Sequence, residues 1–208
     1  MEKKSSPQSR RSGRPLSFDR DEALEQAMLT FWRYGYETTS ISELTAAMGV
    51  TAPSIYTAFG DKKQLFLEAM RLYAGDTEDL ELSLSTADTA RDAVEGMLDA
   101  AVNLFTGKST PPGCLLASAT ASGSKDSIDV QAAVTSVRSE IMKLICVRIK
   151  QDIRKGILPP STDAAALAAF VIALVQGMSV LARDGMKRKQ LKVMINTAMT
   201  AWPTPNCS

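Results

Sequence analysis

The sequence predicts an all-α chain, with a small N-terminal helix-turn-helix domain followed by a larger helical domain. Three observations carry this. Capping signals for short helices recur from Asp19 to Asp61, apolar residues recur every three or four positions in the longer segments beyond, and no segment alternates as a half-buried strand would. With 208 residues, 45% hydrophobic and 23% charged, the chain can bury a core without disulfide or metal staples.

The elements follow in order. Asp19 caps a first helix running through Tyr34, with Glu22 as its capping-box partner and Gly35 as its stop. Ala23, Ala27 and Phe31, flanked by Leu24, Met28 and Trp32, form its apolar stripe. Ser40 with Glu43 opens a second helix that stops at Gly49. Thr51 caps a third, with Pro53 in its first turn, where a missing N–H costs nothing. Asp61 with Gln64 opens a fourth that runs to about Ala74. The acidic stretch Glu78, Asp79 and Glu81 reads as a solvated helix or loop. Helical periodicity resumes over Asp88 to Thr106 and over Asp126 to Ile157, with Pro111 and Pro159-Pro160 as punctuation. A helix over Ala164 to Ala182 and a last one from about Lys187 complete the chain.

The second and third helices, Ser40–Met48 and Ala52–Phe59, are joined by Gly49-Val50-Thr51, which makes a helix-turn-helix. Ile41, Leu44, Val50 and Ile55 pack the pair, and small Ala46, Ala47 and Ala52 let the backbones approach. The outer face of the third helix carries Thr51, Ser54, Tyr56 and Thr57, hydroxyl-bearing and nearly uncharged, which suits phosphate oxygens and groove edges. Net charge is +1 overall, yet Lys3, Lys4, Arg10, Arg11, Arg14 and Arg20 make the first twenty residues basic. A leader of this composition is a disordered arm that seeks phosphate.

Composition also excludes. There is no histidine, which removes Ser-His-Asp and Cys-His catalysis and His-based zinc sites. No Gly-rich loop cradles a nucleotide, so neither an enzyme nor a cofactor or metal site is expected. Cys114, Cys146 and Cys207 are odd in number and widely spaced, which argues for a reducing, cytoplasmic setting. The N-terminus lacks the apolar stretch of a signal peptide. Ala164 to Ala182 approaches the length of a membrane span, but its alanine content and a mean hydropathy of -0.05 for the chain fit a soluble helix buried on two sides.

From Gly13 to Met70 the sequence resembles the N-terminal domain of the tetracycline-repressor-like (TetR) transcription regulators. The resemblance rests on FWRYGYETTS from Phe31 to Ser40, the Met48-Gly49-Val50 turn, Ser54-Ile55-Tyr56, and Phe59-Gly60-Asp61-Lys62. Beyond it, Pro112-Gly113-Cys114-Leu115-Leu116 is similar to one branch of the family. The resemblance implies nine or ten helices and a homodimer that binds double-stranded operator DNA and responds to a small-molecule effector. It also implies DNA contacts at Thr39, Ser40, Thr51, Ser54, Tyr56 and Lys62, and Arg14, in the basic N-terminal stretch, is a further candidate contact. The expected division is an arm over 1–12, a DNA-binding domain over 13–62, a ligand-binding and dimerisation domain over 63–202, and a tail over 203–208.

Further candidates come from residue type and spacing. Met97, Phe105, Met142, Phe170, Leu174 and Met178, with Cys114, are expected to line an effector cavity, because methionine and aromatic side chains adapt to apolar ligands. Cys114 follows Pro111-Pro112-Gly113 and stands at an expected helix N-terminus, where the local dipole favours a thiolate and an oxidant or electrophile sensor. In the Ala164–Ala182 helix, Ala165, Ala169, Ile172, Gln176 and Ser179 form a face of small and polar residues. Together with Leu191, Ile195 and Ala198 of the last helix, that face is expected to build the dimer interface. A helical interaction module without DNA binding is the rival function.

Overall fold

The computed structural model describes residues 18–119 and 127–204. The arm, Arg14, Cys207 and the start of the expected Asp126 helix lie outside them. Among the described residues are ten helices and no strand: α1 (Arg20–Tyr34), α2 (Ile41–Met48), α3 (Ala52–Phe59), α4 (Lys62–Ala74), α5 (Thr77–Thr86), α6 (Ala90–Phe105), α7 (Leu115–Ser118), α8 (Ile128–Arg154), α9 (Ala164–Arg183) and α10 (Arg188–Thr200).

The helix starts are set by side chains that satisfy free backbone N–H groups. Asp19 accepts from the N–H of Asp21 and Glu22, and Asp61 accepts from that of Gln64. Ser40 and Glu43 form a complete reciprocal box. Thr51 departs from expectation. It occupies the cap position of α3, yet its hydroxyl bonds the Ser54 hydroxyl at 2.9 Å rather than a backbone N–H. Caps at Thr89 and Asp163 start α6 and α9 in the same way as Asp19. The acidic stretch Glu78, Asp79 and Glu81 forms part of α5, which is exposed apart from Leu80 and Leu84.

α1 to α4 close around Ala27, Phe31, Leu44, Ile55, Leu65 and Phe66, all fully buried. Tyr36 and Phe31 each meet the Phe66 ring edge-on, at 5.1 and 5.2 Å between centroids. In the rest of the chain α8 lies along α9, and α10 along α6. A buried ion pair pins the corner between α5 and α6 to α8. Arg148 pairs with Asp152 and donates to the carbonyls of Leu84, Ala87 and Asp88, while Asp152 accepts the Ala90 N–H at 2.6 Å. Nearly every polar atom of the pair is thereby satisfied, as burial of charge requires. Apolar periodicity could not reveal this pair, because both residues sit on the stripe that it treats as greasy.

Candidate nucleic-acid interface and cavity

α3 presents its hydroxyl face outward. Tyr56 is 51% exposed, Thr51 and Thr57 are exposed, and Ser54 is half-buried beside Thr51. The turn into α3 depends on Gly49, whose φ of 65° is left-handed and whose N–H closes on the Thr45 carbonyl. Ser40 is exposed at the start of α2, its hydroxyl shared with Glu43. Those hydrogen bonds hold the Glu43 carboxyl below the usual carboxylate range.

Two expected contacts are placed differently. Thr39 is fully buried, and its hydroxyl donates to the Gly35 carbonyl at 2.6 Å. It closes the turn after α1 and offers no side chain to DNA. Lys62 is half-buried with its ammonium 4.6 Å above the Tyr36 ring, and burial lowers its pKa. It also donates to the Glu37 carbonyl at 3.4 Å. Its charge therefore sits between the α1–α2 turn and α4, and reaching a phosphate requires it to leave the ring.

A cavity of about 310 Å³ lies in the larger domain, walled by α4, α6, α8 and α9, by Leu80 of α5 and by the segment around α7. Met97, Phe105 and Cys114 line it. Met142, Phe170, Leu174 and Met178 do not. On α8 the residues facing the cavity are Arg138 and Ile141, one helical step from Met142. On α9 they are Ile172, Val175 and Gln176. Leu174 and Met178 point into the protomer core, and Phe170 is 42% exposed.

That rotation of α9 also changes the expected dimer face. Ile172 and Gln176 belong to the cavity, and Ser179, Leu191 and Ile195 are buried inside the protomer. Ala198 is half-buried, while Ala165 and Ala169 are exposed. The apolar stripe left uncovered runs through Ala166, Ala169, Phe170, Ala173 and Val180. α9 is also the one described helix long and apolar enough to cross a membrane, with 33% of its most apolar window buried in the protein.

Cys114 is 4% exposed and precedes a helix of a single turn, not the longer helix that would supply a useful dipole. Its thiol instead receives the Tyr73 hydroxyl at 3.2 Å, and burial pushes the Tyr73 pKa well up, so the phenol remains a donor. From here a chain of contacts runs to α1. Tyr73 meets Trp32 edge-on at 4.8 Å, Trp32 donates its indole N–H to the Gly113 carbonyl at 3.0 Å, and Arg183 donates to the Trp32 carbonyl. The Cys114 N–H in turn bonds the Ser179 hydroxyl at 2.9 Å. Sequence reading missed Tyr73, Trp32 and Arg183 as a unit, because they lie on separate helices.

Comparison with known proteins fits this geometry. Residues 23–69 match the family of bacterial regulatory proteins, tetR family, and residues 90–198 match the tetracyclin repressor-like C-terminal domain. The transcriptional repressor ComR of Escherichia coli is 34% identical over 193 residues, covering 92% of each chain. The chain belongs to the TetR family. It is accordingly a DNA-binding transcriptional regulator and not an enzyme. A second relative, the HTH-type transcriptional repressor BdcR of E. coli, is 27% identical over 88% of this chain and 89% of its own. Among solved structures, the TetR regulator CifR, a cysteine-substituted form complexed with 26-bp double-strand operator DNA, superposes with a TM-score of 0.86. It is 38% identical over 92% of this chain and 100% of its own.

Proposed function

We propose that this TetR-family chain is a homodimeric, cytoplasmic repressor that grips a palindromic operator through Ser40, Thr51, Ser54, Tyr56 and Thr57 and releases it when a small molecule fills the α4–α9 cavity. One observation supports the release step above others: α4 belongs to both regions. Its first residue, Lys62, lies beside the DNA-reading helices, and its last turn, Tyr73 and Ala74, walls the cavity. On this reading a DNA-binding domain over 13–62 meets a ligand-binding and dimerisation domain over 63–202 at the start of α4, which runs as a rigid rod from one to the other. Two recognition helices must reach major grooves about 34 Å apart, so tilting that rod in each protomer spoils the spacing.

The dimer surface is the exposed stripe of α9 from Ala166 to Val180, whose small side chains let two helices approach closely. The decisive experiment is selection of bound genomic DNA fragments followed by titration of affinity against salt. A palindromic site with affinity falling steeply in salt supports the proposal, because phosphate contacts release counterions. Selected fragments without two-fold symmetry, or a flat salt response, would overturn the palindromic, phosphate-gripping reading.

The Tyr73–Cys114 contact favours a second reading, a thiol sensor on the same scaffold. Alkylation of Cys114 adds bulk at the cavity wall and presses on the Tyr73–Trp32 contact, which lowers DNA affinity. Cys114→Ser is then unresponsive yet still binds DNA. Equal responses to iodoacetamide from both proteins would reduce Cys114 to a packing residue.

A further inference from the structure

We propose that the cavity selects an amphipathic organic anion, an apolar body carrying one carboxylate-type head, with Arg138 as the residue that reads the charge. The inference rests on the effector-release reading above and names the chemistry of its effector. Most of the wall is apolar: Met97, Leu104, Phe105, Ile141 and Ile172 offer only carbon and sulfur to a ligand. Of the polar wall groups, Cys114 and Tyr73 already satisfy each other. Two polar side chains remain, Arg138 from α8 and Gln176 from α9. Both are half-buried, and neither has a hydrogen-bond or ion-pair partner among the described residues.

An unpaired guanidinium at the edge of an apolar cavity is what distinguishes this site. Arg138 is the single charged residue of the lining, and its neighbours one turn away on α8, Val134, Thr135, Ile141 and Met142, carry no charge to neutralise it. Asp76 and Glu140 line an adjoining groove that shares Ala74, Leu80 and Ile141 with the cavity, and neither lines the cavity itself. The lining is therefore positive at one point and uncharged elsewhere. Arginine offers a planar fork of donors that matches a carboxylate bidentately, and a charge-assisted bond in a partly dry site outweighs a neutral one. A neutral apolar ligand leaves Arg138 unpaired, and a cationic one adds repulsion. Gln176 supplies an amide on the α9 wall that orients the head without adding charge. At about 310 Å³ the space sits at the small end of ligand sites, which limits the occupant to a short-chain or single-ring body.

The test uses the full-length protein without DNA and a series of straight-chain carboxylates from hexanoate to dodecanoate. Each acid is paired with the primary alcohol and the primary amine of equal length, and binding is read by calorimetry. The expected result is that the best acid binds at least tenfold more tightly than its alcohol and that the amine does not bind. Arg138→Met, which keeps the apolar stem, should abolish the preference for acid over alcohol while leaving alcohol binding unchanged. Arg138→Lys should restore part of it. Equal affinity for acid and alcohol, a preference that survives Arg138→Met, or no binding by any acid would overturn the proposal. The same acids are then added to the protein bound to its selected DNA fragment. Tight Arg138-dependent binding without DNA release leaves the ligand class standing and refutes the release reading instead.

Discussion

A threonine, the serine beside it and one glycine show how far a residue's role depends on what surrounds its α-carbon. Thr39 and Ser40 are adjacent, yet Ser40 stands exposed at a helix start and Thr39 is sealed inside against Gly35. Thr39→Val should therefore cost about 1 kcal/mol of stability through the lost hydrogen bond, and it should leave DNA affinity unchanged at temperatures where the variant is folded. Tyr56→Ala should do the reverse, with thermal unfolding unaltered and operator binding weakened by about 1–3 kcal/mol. Thermal melts paired with gel-shift titrations separate the two. Gly113 has φ of +81°, and a Cβ there would lie 2.8 Å from the Ser179 carbonyl oxygen and 2.7 Å from Arg183 Cγ. Gly113→Ala should destabilise by more than about 1 kcal/mol and weaken the docking of Trp32, visible as a shift in indole fluorescence.

At the scale of elements, α9 carries three demands on one circumference. Val171, Leu174 and Met178 fill the protomer core, Ile172, Val175 and Gln176 wall the cavity, and Ala166, Ala169, Phe170, Ala173 and Val180 face outward. Because successive residues of a helix are rotated by about 100°, stripes with the same three-and-four spacing lie side by side, and pattern alone cannot say which one meets which partner. Substitution can. Ala169→Glu should yield a folded monomer with lost operator binding, since a buried unpaired carboxylate at a symmetric contact is costly. Ile172→Glu should stay dimeric and lose effector response. Sedimentation velocity on both variants decides the matter, and a monomeric Ile172→Glu beside a dimeric Ala169→Glu would return the interface to the face containing Ile172.

For the whole molecule, the junction between the DNA-binding helices and the rest is a packed joint. Trp32 of α1 is 1% exposed and is held at once by Tyr73 of α4, the Gly113 carbonyl and Arg183 of α9. A joint of this kind transmits a shift at the cavity to α1 and α4, since close-packed interiors do not absorb displacement locally. It also ties the two regions into one cooperative unit. Thermal unfolding followed by helical circular dichroism and by tryptophan emission should give a single coincident transition. A separate early melt of residues 18–62 would show that the joint is loose and would remove the mechanical basis of release.

Much of this was written locally. The capped starts at Asp19, Ser40 and Asp61, the glycine stop at Gly49, and the hydroxyl face of α3 depend on residues within a turn or two of one another, so the sequence by itself determined the helix-turn-helix and its outward surface. Thr39, Lys62 and the faces of α9 were decided elsewhere. The Thr39 hydroxyl turned inward to a carbonyl four residues back, the Lys62 ammonium settled on the Tyr36 ring, and α9 took its rotation from α6, α7, α8 and α10 packing around it. Only the tertiary structure brought Arg138, Gln176, Tyr73 and Cys114 to one cavity, because each stands on a different element and a cavity's lining is a property of how helices cross, which no single helix encodes.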